Sequence, residues 1–155
     1  MSVKTALGNW DLTIRRVTAV FDGLDDEQLL EEIAPGKNRA IYLLGHLAAV
    51  HDAMLPLLGL GERQYPHLDD PFIKNPDRTI PVLPPPAELR ACWKKTNELL
   101  SQKFLSLKPE QWLERHTMVS EVDFAREPHR NRLNVLLSRT GHASYHHGQL
   151  ALLKK

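Results

Sequence analysis

Leu7, Trp10, Ile14, Val17, Phe21 and Leu24 recur at alternating intervals of three and four residues, a spacing that gathers apolar side chains on one face of a helix. The polar run "DGLDDEQL" ends that helix, and a short helical piece through Leu30 and Ile33 is expected after it. The turn "APGKN" leads into the apolar segment "RAIYLLGHLAAVHDAMLPLLG". Asn38 is placed to cap this second helix, and Gly59 and Gly61 to stop it. A third helix opens near Pro86 and carries the stripe Leu89, Cys92, Trp93, Thr96, Leu99, Leu100 and Phe104. A turn and short helix around Trp112 follow, then a poorly patterned polar stretch from Thr117 to Glu127 that reads as a loop. The fourth helix begins after Pro128 and runs through "HRNRLNVLLSRTGHASYHHGQLALLKK".

Residues 60–86 hold seven of the eleven prolines, so neither a helix nor a central strand is expected there. A loop of that length inside one domain needs a reason. A crossover from one end of a bundle to the other supplies one, and it lets the second and third helices run parallel. With no pattern of strand type, the fold class is all-α: a four-helix bundle with a long proline-rich crossover between helices two and three.

Composition narrows the picture without redirecting it. A chain of 155 residues, 42% hydrophobic and 25% charged, fits one domain spanning 1–155. Its formal charge of +1 gives no electrostatic footprint for nucleic acid or an anionic membrane. The single cysteine, Cys92, excludes an internal disulfide or a thiolate cluster. No stretch reads as a signal peptide or approaches a membrane span, so a cytoplasmic protein is expected.

Eight histidines change the picture more. His142 and His146 lie four apart on the last helix and project to its apolar side, a spacing at which both rings can reach one metal ion. The alternative is two separate, partly buried histidines with hydrogen bonds of their own. His46 shares the azimuth of Tyr42, Val50, Ala53 and Leu57 on the second helix, so it must find a partner. It lies roughly 12 Å from the start of that helix, and His146 and His142 roughly 10 to 16 Å from the end of theirs. If the two helices are antiparallel neighbours, the three rings meet at one level. His51, about 140° from His46 around the helix, is expected on a flank. His147 points away from the pair, His67, His116 and His129 fall in or beside loops, and Cys92 reads as a core residue.

Two segments, "AIYLLGHLAAVHDAML" and "GHASYHHGQLALLKK", resemble the DinB/YfiT-like superfamily of metal-binding four-helix bundles. The second carries that family's His-x-x-x-His-x-Gly-Gln ending. The resemblance implies an up-down-down-up topology and a metal triad of His46, His142 and His146. Characterised members of the superfamily include transferases and isomerases that use low-molecular-weight thiols, and others are described as metal-dependent hydrolases or damage-inducible proteins. A homodimer is the expected assembly.

Three neutral imidazoles leave a divalent ion, zinc or nickel, with an open position. Water there would ionise near pH about 7, and a thiol would become a thiolate. The expected partner is therefore a small-molecule substrate, including a low-molecular-weight thiol, rather than nucleic acid or membrane. Arg139 is placed to meet an anionic group on a substrate, to reach solvent or to pair with a carboxylate, and Tyr145 and Gln149 flank the ligands. In the competing reading the ion is a structural staple, closed by a fourth ligand such as His51 or a carboxylate.

Overall fold

The hydroxyl of Ser2 accepts a hydrogen bond from the backbone N–H of Thr5 at 3.2 Å, satisfying one of the donors that a helix N-terminus leaves open. In the computed structural model, which describes residues 2–153, this cap starts helix α1, Val3–Asp22. It is followed by α2 (Ala40–Asp52), α3 (Met54–Leu57), α4 (Pro86–Leu105), α5 (Glu121–Arg126) and α6 (Arg132–Leu150). Among the described residues the fold is all-helical, and only the isolated bridges Glu32–Arg39 and Arg115–Asn131 have β geometry. Helix α1 packs along α6, and α2 along α4.

Three expectations about caps and local elements need correction. The N-cap of α2 is Arg39, not Asn38, and its own side chain caps nothing. Instead its backbone N–H donates to Asp77 Oδ2 at 2.8 Å, so the helix entrance is tied to a distant residue. The stretch read as a loop from Thr117 to Glu127 contains α5, capped by Ser120, whose hydroxyl accepts from the Asp123 N–H. The proline-rich segment is not free of helix: a 3-10 turn spans Pro66–Leu68 and a π-type turn spans Asp70–Lys74. Both turns carry proline in their first turn, where the missing N–H removes no intrahelical bond.

The segment after α3 is strapped back along α2. Asp52, fully buried at the end of α2, accepts from Arg63 Nε at 2.8 Å and from the backbone N–H groups of Gln64 and Tyr65 at 2.9 Å each. Farther along, the ring of Phe72 lies over Gly45, and Tyr42 donates its hydroxyl hydrogen to the Asn75 carbonyl at 2.8 Å. At the far end Arg39 Nη2 meets Asp77 Oδ1 at 2.8 Å. Residues 63, 72, 75 and 77 thus meet residues 52, 45, 42 and 39 in reverse order. This answers why so long a connection is tolerated: its backbone groups are held on a helix that the connection itself covers.

The apolar stretch Ala40–Leu57 is long and apolar enough to cross a membrane, contrary to the sequence expectation, but 72% of it is buried inside the fold. It is the core helix. Burying a large apolar side chain there stabilises by about 1.5 to 3 kcal/mol. The core forms two apolar clusters, one around Leu44, Phe72 and Trp93 and one around Trp10, Met54 and Trp112, with Ile14 touching both. Between them along the helices sit buried polar residues: Thr13 on α1, His51 on α2, Thr96 and Asn97 on α4, and Thr140 on α6. On α2 His51 follows His46 by five residues, and on α6 Thr140 precedes His142 by two, so the polar layer is near the histidine cluster along both helices.

Candidate metal centre

His46 projects from the middle of α2, where it is the least buried residue of an otherwise fully buried helix. Its Nδ1 lies 2.7 Å from the Phe72 carbonyl oxygen. A carbonyl can only accept, so Nδ1 carries the proton and the Nε2 lone pair is free. Gly45 makes this possible, because a Cβ there would stand 2.4 Å from the Phe72 ring.

His142 and His146 come from α6, and their rings meet edge to face at 84° with centroids 4.6 Å apart. His146 Nδ1 donates to Gln149 Oε1 at 2.7 Å, while Gln149 Nε2 donates to the Tyr145 hydroxyl at 3.1 Å. This chain of bonds frees the Nε2 lone pair of His146 as well. The Nε2 atom of His142 then lies 3.2 Å from that of His46 and 3.1 Å from that of His146. Three ring nitrogens from two helices therefore converge on one point.

Tetrahedral nitrogen ligands about 2.0 to 2.1 Å from zinc stand about 3.3 Å from one another, close to the separations observed. The protonation states agree. Burial, then the neighbouring His146 and His46 rings and Arg139, push His142 down to about 4. Burial also lowers His46 and His146, against the opposing effect of their hydrogen bonds to Phe72 and Gln149. All three are neutral at pH 7, the form that ligates metal. Orienting the ring through the nitrogen that does not ligate is the usual device of a metal-binding histidine. The residues fit a divalent ion. A carbonyl and an amide orient two of the rings, whereas His142 Nδ1 is buried without a partner among the described residues.

The sequence profile of the DinB superfamily matches residues 9–150, from the first turns of α1 to the end of α6. The chain belongs to the DinB superfamily. No curated protein matches it in sequence.

In this DinB-superfamily chain the three histidines brought together are those singled out by spacing and azimuth: His46, His142 and His146. His51 is not the flank residue expected. It is fully buried, with its ring 4.9 Å from that of Trp10 and 5.0 Å from that of Trp93, and Nδ1 2.9 Å from Asn97 Oδ1. Nor does it join the cluster as a fourth ligand, and among the described residues no carboxylate does. Asp52 is taken up by Arg63, and Glu32 by Arg78 and the Gly36 N–H. His67 pairs with Glu88 on the surface, His116 Nδ1 accepts from the Met118 N–H, and Cys92 is a buried core residue. His147 is partly exposed and outside the cluster, and His129 is exposed.

Phe72 and Gly45 are the functional residues that spacing arguments missed. A glycine directly before a histidine in the middle of an apolar helix was the available signal. Its meaning depends on an aromatic residue twenty-seven positions later, within the segment that periodicity assigned to loop.

Proposed function

We propose that this protein is a metal-dependent enzyme in which His46, His142 and His146 hold a divalent ion, zinc or nickel, and activate a thiol or water nucleophile. The observation that carries the reading is the convergence of three Nε2 atoms, two of them with tautomers set by the Phe72 carbonyl and by Gln149. A bound ion would lower the pKa of a thiol or water in its open position. The protein's own part is to present three neutral rings, two of them oriented by hydrogen bonds, and to keep a fourth side chain away. That last feature favours an open, catalytic arrangement over a structural staple.

The four long helical stretches (α1, α2 with α3, α4 and α6) are read as an up-down-down-up bundle. The pairing of α1 with α6 and of α2 with α4, and the backward course of the strap along α2, support that order. In such a bundle the apolar clusters rather than the ion supply the core.

Metal analysis of purified protein tests the proposal. Wild type should bind about one equivalent of divalent ion. His46→Ala should lose most of it and His67→Ala none. Equal metal content in wild type and His46→Ala removes the reading. A screen of low-molecular-weight thiols with electrophilic acceptors then separates transfer, which needs added thiol, from hydrolysis, which proceeds in water alone.

A further inference from the structure

Several partly buried arginines of the fold are neutralised by carboxylates: Arg39 by Asp77, Arg63 by Asp52 and Asp69, Arg132 by Glu114. Arg139 is different. Like Arg132 it keeps Nε buried without a hydrogen-bond partner, but among the described residues no carboxylate lies within ion-pair distance of it, and burial alone lowers its pKa. Arg139 leaves α6 one turn before His142, about 4.5 Å along the axis and about 60° around it. Its charge disfavours protons on His46 and His51 of α2 as well as on His142. It stands beside Thr140 at the level of the buried polar layer, where the fully buried His51 also keeps Nε2 without a partner.

A partly desolvated guanidinium among neutral imidazoles is unfavourable until an anion completes it. The planar fork of arginine matches a carboxylate with two parallel hydrogen bonds. We propose that Arg139 is a specificity-determining residue that binds a carboxylate on the same small molecule whose other end reaches the three imidazoles. The inference rests on the metal reading above. One fixed positive charge suits a monoanion.

The test uses full-length protein loaded with Co2+, followed by sulfur-to-cobalt charge-transfer absorption. The probes are 3-mercaptopropionate and its neutral analogue 3-mercaptopropionamide. Wild type should bind the carboxylate about tenfold or more tightly than the amide, the scale of one charge-assisted contact. Arg139→Gln should bring the two affinities together without weakening the amide, and Arg139→Lys should recover part of the preference. Equal affinities in wild type overturn the proposal without reference to any variant. An undiminished preference in Arg139→Gln at wild-type cobalt content overturns it too, since the preference would then come from chelation by the ion. If wild type takes up no Co2+, the metal reading fails and this inference fails with it.

Discussion

Replacing Gly45 by alanine should destabilise the protein, although the same change in an open helix stabilises. Within a helix interior, alanine is favoured over glycine by about 0.5 to 1 kcal/mol. At Gly45 the added Cβ would lie 2.4 Å from ring atoms of Phe72. Phe72 is fully buried and packed against Tyr42, so the ring cannot swing aside freely. Displacing it forfeits much of a buried aromatic side chain, about 3 kcal/mol. The net loss is about 2 kcal/mol, which lowers Tm by about 4 to 8 °C for a domain of this size. Moving Phe72 also withdraws the carbonyl that orients His46, so metal affinity should fall about 10- to 100-fold. Gly8→Ala on α1 is the control: nothing lies within 4 Å of its Cβ position, and Tm should rise by about 1 to 4 °C. Thermal melts of both variants and metal titration by calorimetry make the comparison. A Gly45→Ala protein as stable as Gly8→Ala, with wild-type metal affinity, would refute the claim that Phe72 seats on Gly45 to position His46.

Other consequences can be checked alongside. Burial between Trp10 and Trp93 holds His51 down to about 3, below its unfolded value of about 6.5. The unfolded chain therefore takes up a proton that the folded chain refuses. The stability from this group is complete above about pH 6.5 and is lost as pH falls toward about 3, a change on the order of 4 kcal/mol. Urea titrations from pH 7 to 4 should show a shallower decline for His51→Phe than for wild type, and parallel declines would contradict the assignment. Asp77→Asn leaves the shape of the strap's anchor but removes the charge facing Arg39. A loss of about 2 kcal/mol is expected, below the range for a fully buried pair because Arg39 is partly exposed, and chemical denaturation measures it. Chelation should abolish catalysis while far-UV circular dichroism stays unchanged, because the two apolar clusters hold the helices. Unfolding on chelation would favour the structural staple.

Much of the molecule is legible in the amino-acid order. Stripes of Leu7 to Leu24 and Leu89 to Phe104 marked α1 and α4, since a helix buried on one side writes its 3.6-residue period into the chain. The four-residue spacing of His142 and His146 is also local, and one helix brings both rings together wherever it packs. These features need only short-range geometry, so the amino-acid order determines them alone.

What tertiary structure decided lies where that period fails or where a partner is remote. Helix α2 is buried nearly all round, so an azimuth of 140° from His46 leads not to solvent but into the aromatic pocket of Trp10 and Trp93, where His51 sits. The N-cap role passed from Asn38 to Arg39 because Asp77, thirty-eight residues later, satisfies the Arg39 N–H. The hydrogen bond that frees the His46 lone pair comes from a carbonyl in a segment that periodicity could only mark as irregular. Helical period records which side of a helix is apolar, whereas hydrogen bonds across the fold depend on where chain neighbours distant in sequence come to rest.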